Sequence, residues 1–191
     1  MTGIEHPGFA DPVRDGQAVF RAVLDAMARP GRVREVAAPV APPPPLARAT
    51  AAVLLTLVDA ETPLWVDGGA EAAREWLLFH CGAPIVPMAA ARFAVALSPV
   101  ALNGLPAGTD EEPESSATLI LQVAALGEGA GLRLAGPGLA APSILRVRGL
   151  PPGFVTEWRA NHALFPRGVD VVLCAGDRLA ALPRTVQIEE I

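Results

Sequence analysis

The chain has 191 residues, of which 51% are apolar and 18% are charged, and its formal net charge is −5 at pH 7. This length suits a single domain, taken here as residues 1–191, whose core is large enough to fold without a metal or a disulfide. No basic stripe is present, which argues against nucleic-acid binding. No uninterrupted apolar run is long enough for a membrane span. The large apolar share favours a protein that works inside an oligomer.

The first half of the chain alternates between helix and strand patterns. Residues 15–28 predict an amphipathic helix, because Phe20, Val23, Leu24 and Met27 share one face at a period of 3.6 residues. The other elements predicted here are a strand at 33–36, a helix at 46–58, a strand at 63–66, a helix at 70–81 and a strand at 92–97.

The second half is richer in strands. A continuous apolar strand is predicted at 117–126, in the centre of a sheet. A helix follows at 151–166, and two strands across a short glycine-containing turn form a hairpin within 169–188. This order favours an α/β fold, in which a mixed sheet carries helices packed on both of its faces.

Glycines 127, 129 and 131 lie between two strand-like segments, at 117–126 and 132–136. A dinucleotide-binding loop has a helix after its glycines, because the helix N-terminus holds the pyrophosphate. No helix pattern follows here. The loop is therefore interpreted as a hairpin turn.

An acidic run precedes the apolar strand at 117–126. Its carboxylates could bind Mg²⁺, which takes oxygen ligands, or could guard an aggregation-prone strand. Neighbouring acids in a proline-containing loop usually point into solvent, which favours the guarding role. No metal is assigned to the run, which consists of Asp110, Glu111, Glu112 and Glu114.

The chain contains no lysine, since its 15 basic residues are all arginine. A Schiff base with pyridoxal phosphate and a Walker-type phosphate loop are thereby excluded, because both need a lysine amine. Cys81 and Cys174 are interpreted as reduced thiols of a cytoplasmic protein, because no export signal is recognisable at the N-terminus. His80 and Cys81 cannot pair locally, since adjacent helical residues diverge. The histidines and cysteines show no metal-ligand spacing.

Seven stretches in series resemble one family, the H subunit of the bacterial carbon–phosphorus lyase core complex of phosphonate metabolism. Each stretch is of modest specificity, and the resemblance rests on their common order along most of the chain. The stretches are FRAVLDAMARPG (20–31), LLTLVDAETPLW (54–65), FHCGAP (79–84), GT…PESSATLILQV (108–123), LAGPGL (134–139), FPRGVDVVL (165–173) and LPRT (182–185).

The resemblance implies a fold similar to that of pyridoxal-phosphate-dependent transferases, without the cofactor lysine and without a cofactor. It implies a homodimer that assembles with the G, I and J subunits. The complex converts MgATP and an alkylphosphonate into ribose 1-alkylphosphonate 5-triphosphate and releases adenine. This subunit is then an essential accessory and carries no catalytic residue of its own.

Five residues are candidates for ligand or interface contacts, and two other functions stay open. The alternatives are a stand-alone ligand-binding dimer and a small-molecule enzyme that uses a cysteine or a histidine. Arginine forks bind phosphate groups well, and exposed arginines also form surface ion pairs. The candidates are Arg21, Asp59, His80, Asp170 and Arg184.

Overall fold

The computed structural model describes residues 5–191, which fold as helices around a mixed β-sheet. The α-helices of this part are α1 (Pro12–Ala28), α2 (Arg48–Leu57), α3 (Arg74–Cys81) and α4 (Phe154–His162). The strands are β1 (Arg34–Glu35), β2 (Leu64–Val66), β3 (Phe93–Ala96), β4 (Thr118–Gln122), β5 (Ala125–Ala135), β6 (Ser143–Arg148), β7 (Asp170–Ala175), β8 (Arg178–Leu182) and β9 (Gln187–Glu190).

Six strands form the main sheet in the order β1-β8-β7-β4-β3-β2. Strands β2, β3, β4 and β7 are parallel, whereas β8 is antiparallel to β7 and β1 is antiparallel to β8. Ile120 of β4 lies between Val95 and Val172, and all three side chains enter the same core cluster. The inner strands are buried on both faces, which explains their continuous apolar sequences. The predicted mixed sheet is confirmed.

Helices α1, α2 and α3 cover one face of the main sheet. Every side chain of α2 from Ala49 to Leu54 is buried, so this part of the helix is enclosed on all sides. Trp76 of α3 is fully buried, and its Nε1–H donates to the backbone oxygen of His6 at 2.7 Å. The N-terminal segment is thereby fixed across α3.

Helix α4 and a second sheet cover the opposite face. The second sheet has the antiparallel order β6-β5-β9. Trp158 of α4 is fully buried in this layer and donates its Nε1–H to the backbone oxygen of Val186 at 2.7 Å. Helices therefore lie on both faces of the main sheet, as the sequence predicted.

The interpretation of the glycine loop as a hairpin turn is wrong. Strand β4 ends at Gln122, and the glycines lie inside β5, which belongs to the second sheet. The pairing of β5 with β6 shifts register between Leu126 and Ala130. Gly127 and Gly129 have φ values of 87° and 92° there, which residues with a side chain rarely adopt. The glycines therefore form a bulge in a long strand.

The amphipathic helix was predicted correctly, but its buried face was not. Asp11 caps α1 by accepting the N–H groups of Val13 and Arg14 at 3.2 and 3.1 Å. Val23 is buried as predicted, whereas Phe20 and Leu24 are 50% and 57% exposed. The core-facing residues are Val19, Val23 and Ala26. The helix has two apolar stripes, and periodicity alone could not choose between them.

The other predicted helices and strands are present in the structure, but their first or last residues differ from the predicted ones. The helix expected at 70–81 is a 3-10 turn over Gly68–Ala73 followed by α3, and the helix expected at 151–166 is confined to α4. The predicted hairpin consists of β7 and β8. Strands β6 and β9 were not predicted. None of the helices within residues 5–191 is long and apolar enough to cross a membrane.

Candidate functional site

The carboxyl ends of β2 and β3 lie at a topological switch point. After β2 the chain crosses the face covered by α3 and returns at Ile85, which bridges to Leu64 on the outer side of β2. After β3 it crosses the opposite face, where Leu102 and Leu105 are buried. The chain thus leaves the two adjacent strands in opposite directions. Open α/β sheets bind their ligands in the crevice that forms where the direction of the connections reverses.

The carboxylate of Asp67 occupies this switch point. Asp67 is 4% exposed. Its Oδ1 accepts the N–H of Ala70 at 2.8 Å, and its Oδ2 accepts the N–H groups of Leu97 and Ser98 at 2.9 and 2.8 Å. Backbone donors in this arrangement would suit an external anion. Here the protein's own carboxylate takes all three of them and ties the end of β2 to the end of β3.

Asp67 was missed by the sequence analysis, although its surroundings carry a usable signal. It directly follows the strand-forming residues Leu64–Val66 and precedes Gly68 and Gly69. An aspartate between a strand and a glycine pair is typical of a helix N-cap, and Asp67 does cap the 3-10 turn that follows. Its bonds to Leu97 and Ser98, about thirty residues away, have no local signature.

Gln122 closes the carboxyl end of the neighbouring strand β4. Its Oε1 accepts the N–H of Ala47 at 2.7 Å and the hydroxyl of Thr50 at 2.8 Å. Its Nε2 donates to the backbone oxygen of Pro45 at 2.9 Å. These bonds fix the proline-rich connection and the start of α2 across the sheet edge. The polar atoms of this side chain are all used to position backbone.

Asp170 and Arg184, two of the five candidates, bind each other at the opposite end of the sheet. The Nη2 of Arg184 lies 2.5 Å from Oδ2 of Asp170, and its Nε lies 3.2 Å from both carboxylate oxygens. The Nη1 donates to the backbone oxygen of Pro113 at 2.7 Å, and the backbone N–H of Arg184 donates to Asp170 at 2.7 Å. Their side chains are 16% and 14% exposed. This guanidinium joins three segments of the chain.

The acidic run lies beside this ion pair and is exposed. Asp110 pairs with Arg167, with 3.0 Å between the carboxylate and Nε, and the side chain of Asp110 remains 72% exposed. Within residues 5–191, no three His, Cys, Asp or Glu side chains form a group that could hold a metal ion. The run thus borders the segment that Arg184 anchors through Pro113.

His80 is held by the N-terminal segment. Its Nε2 lies 3.2 Å from the backbone oxygen of His6, the same oxygen that binds Trp76. Its ring also packs against the rings of Trp76 and Phe79, at centroid distances of 4.7 and 5.0 Å. A Cβ on Gly8 would lie 2.9 Å from Nδ1 of His80. His80 is thus enclosed by groups that position it structurally.

Both cysteines are buried free thiols. Burial raises the pKa of Cys81 to about 12, with a smaller contribution from the charge of Asp59. Burial likewise raises the pKa of Cys174 to about 12, against a hydrogen bond with Thr50 that lowers it. At neutral pH these groups remain protonated, and a protonated thiol is a poor nucleophile. Neither cysteine is poised for covalent catalysis.

Asp59 and Arg21 lie on the surface. Asp59 stabilises the turn after α2, because its Oδ1 accepts the N–H of Glu61 at 2.9 Å. Arg21 is exposed on α1, beside a groove that α1 shares with α2. Of the five candidates, only Asp170 and Arg184 bind each other directly.

An apolar cavity of about 300 Å³ lies between α4 and the turn at Leu102–Gly104. Ligand cavities typically begin at about this size. Its one carboxylate is Glu157, whose Oε2 already accepts the N–H of Leu102 at 2.9 Å. Leu105, Ala160 and Leu164 provide apolar lining. The cavity offers shape but little polar recognition.

Comparison with known proteins identifies close relatives. Residues 7–189 match the profile of a family described as "Bacterial phosphonate metabolism protein (PhnH)". A protein of Rhizobium meliloti (strain 1021), named "Alpha-D-ribose 1-methylphosphonate 5-triphosphate synthase subunit PhnH", is 41% identical over 187 residues, which cover 95% of this chain and 94% of that protein. A "Putative C-P lyase subunit protein HtxG" of Stutzerimonas stutzeri is 36% identical over 173 residues, covering 90% and 85% respectively. The family resemblance inferred from the sequence is confirmed.

Proposed function

Since the chain belongs to the PhnH family of bacterial phosphonate metabolism proteins, we propose that it is an accessory subunit of a carbon–phosphorus lyase complex. In this role it supports the conversion of MgATP and an alkylphosphonate into ribose 1-alkylphosphonate 5-triphosphate, with release of adenine. The observation that carries the proposal is the 41% identity, over 95% of this chain, to a protein named as a subunit of the corresponding methylphosphonate synthase.

The described polar groups support an accessory role. Asp67 and Gln122 bind backbone groups and the hydroxyl of Thr50. Arg184 binds Asp170 and the backbone oxygen of Pro113. The thiols of Cys81 and Cys174 stay protonated at neutral pH. A side chain that already satisfies its own backbone is poorly placed to bind substrate. Catalytic groups of the complex would then come from other subunits.

The finer features of the proposal concern assembly and fold. We propose that the chain is one folding unit, forms a homodimer in the cytoplasm and joins the G, I and J subunits without a cofactor of its own. The parallel strands between helical layers are compatible with a fold similar to the pyridoxal-phosphate-dependent transferases. A chain without lysine could not form the Schiff base of those enzymes.

Omission of this subunit tests the proposal. The G, I and J subunits of the same bacterium are co-expressed with and without this chain, and adenine release from MgATP is measured with and without methylphosphonate. We expect phosphonate-dependent release only when the chain is present. Full activity in its absence would contradict the proposal. Phosphonate-dependent adenine release by the purified chain alone would instead support the stand-alone enzyme.

Solution mass and ligand binding address the remaining alternative. The isolated chain should have the mass of a dimer and should enter a larger stoichiometric complex with its partners. A stable dimer that ignores the partners but binds nucleotides or ribose phosphates in calorimetry would favour the ligand-binding protein. A single cooperative unfolding transition of the isolated chain would support one folding unit.

A further inference from the structure

Helix α1 has a second apolar stripe that the fold leaves in solvent. Steps of seven and four residues along a helix return to nearly the same side, so three apolar side chains lie within about 40° of one another. They are adjacent to the stripe that enters the core, yet each is at least half exposed. They are Val13 (68% exposed), Phe20 (50%) and Leu24 (57%), and we call them the outer stripe.

A groove lies beside the outer stripe. It has a volume of about 490 Å³ and is bounded by Pro12, Phe20 and Arg21 of α1 and by Leu55 and Thr56 of α2. Its floor includes Gly16, where an added Cβ would meet no atom within 4 Å. A helix surface with an apolar ridge and an adjoining hollow can pack ridge into groove against a second helix.

The charged flank of the outer stripe carries two arginines and one aspartate, Asp25, which already pairs with Arg29, Arg32 and Arg34. Arg14 and Arg21 each follow a stripe residue by one position, so they lie about 100° around the helix, on the same flank. Neither forms an ion pair with any carboxylate in the described part of the chain. The other acids of this region are also engaged, because Asp11 caps the helix and Asp15 accepts the N–H of Asp11 at 3.0 Å. The two guanidinium groups are available to an anion from outside.

A second copy of the chain fits this surface poorly. In an antiparallel symmetric pair centred on the stripe, Arg14 of one protomer would lie opposite Arg21 of its partner, and like charges would meet. In a parallel symmetric pair, the arginines would face the flank of Gly16 and Thr56, which carries no charge. Neither arrangement gives the guanidinium groups an unpaired carboxylate, because Asp25 of the same flank is already bound by three arginines. A different chain can supply both the apolar ridge and the acids.

We propose that the outer stripe and its groove dock another subunit of the phosphonate-processing complex, through an apolar ridge flanked by carboxylates. This inference rests on the proposed function, and it assigns the surface through which the chain would join the complex. Phe20 is the central anchor, since a large aromatic side chain beside a pocket is typical of an interface hot spot. Arg21 attracts the carboxylates of the partner subunit and fixes its orientation. Homodimerisation then uses another face of the chain.

The test is co-purification of the tagged chain with untagged G, I and J subunits, quantified by the mass of the complex. Phe20→Glu and Leu24→Glu should each weaken assembly about tenfold or more, since truncating a hot spot removes well over the equivalent free energy. Ile144→Glu is the matched control, because Ile144 is an equally exposed apolar residue, 54% accessible, on the second sheet. It should assemble like the wild type.

Charge provides a second readout. Arg21→Glu should weaken assembly and flatten its dependence on salt, because the attraction to carboxylates is screened by ions. Arg159→Glu, at an exposed position of α4, should leave both unchanged. Thermal unfolding of each isolated variant confirms that it is folded.

The possible outcomes separate the two proposals. If the wild type does not join the complex, the proposed function fails. If it joins and the Phe20 and Leu24 variants join equally well, or the Ile144 variant is lost to the same extent, the docking surface is wrong. Conversion of the isolated dimer to a monomer by Phe20→Glu would assign the outer stripe to self-association and overturn the inference.

Discussion

The carboxyl end of the parallel strands and the outer face of α1 use their side chains in opposite ways. At the strand ends, the side chains of Asp67 and Gln122 make six hydrogen bonds, every one to their own chain. On α1, Phe20 and Leu24 stay exposed although the core lies one stripe away. The polar side chains at the strand ends bind groups of their own chain, whereas apolar side chains of α1 remain exposed to solvent. A subunit that works through contact with partners would have this distribution.

The largest effect is expected from breaking the ion pair at the amino end of β7. Asp170→Ala should lower the free energy of unfolding by about 3–5 kcal/mol, because it leaves a mostly buried guanidinium without its carboxylate. Urea denaturation of the isolated chain measures this. The exposed pair of Arg133 and Glu189, at 3.2 Å, is the control. Glu189→Ala should cost less than about 1 kcal/mol, and equal losses would remove the distinction between interior and surface.

The next largest effect is expected at the switch point. Asp67→Ala should lower the free energy of unfolding by about 2–4 kcal/mol, because it leaves the buried N–H groups of Ala70, Leu97 and Ser98 without an acceptor. Asp59→Ala is the matched control, since that carboxylate stabilises one exposed turn and its loss should cost about 1 kcal/mol or less. A loss at Asp67 as small as that at Asp59 would mean that water replaces the carboxylate, and that the crevice is open to ligands.

The elements that the sequence predicted well are those with strong local patterns. The apolar run of β4, the periodicity of α1 and the hairpin of β7 and β8 each depend on residues close in sequence. The bulge of β5 could not be found in this way. Its glycines satisfy a turn pattern as well as a bulge pattern, and only pairing with β6 decides between them.

The candidate site shows the same limit. Asp170 and Arg184 were both singled out, but as separate candidates for contact with a ligand or a partner. Their mutual binding depends on the packing of β7 against the segment after β8, and on Pro113 some seventy residues away. For α1, periodicity found the helix but assigned Phe20 and Leu24 to the core. Which of two apolar stripes becomes buried is decided by the shape of α2 and the sheet beneath.

An effect that is confined to alkaline pH is expected from the buried thiols. The folded pKa of Cys174 is raised from 9.0 to about 12, so the unfolded chain loses this proton first as pH rises. The stabilisation is therefore present below about pH 9 and is lost between pH 9 and 12, by about 1.4 kcal/mol per pH unit. Cys174→Ala should remove the contribution of this thiol to the fall of unfolding free energy with pH. The chain has no lysine and no tyrosine, whose titration would otherwise obscure this window.

Cys81 supplies the check on this expectation, because its pKa is also raised to about 12. Unfolding free energies measured from pH 8 to pH 11 should fall less steeply in each single variant than in the wild type, and least steeply in the double variant. If Cys174→Ala and the wild type have parallel profiles, then the thiol ionises in the folded state as readily as in solution, and the interior at β7 is open to water.

The smallest effect is expected on the outer stripe itself, and it separates the two stripes of α1. Val23 is 7% exposed and belongs to the core, whereas Phe20 is 50% exposed. Val23→Ala should cost about 1–2 kcal/mol of unfolding free energy, because it opens space in packed surroundings. Phe20→Ala removes a far larger side chain but should change stability by only about 0.5 kcal/mol, as exposed positions usually do. A cost at Phe20 equal to or above that at Val23 would mean that the fold itself uses the outer stripe, and a partner would then have nothing left to bury there.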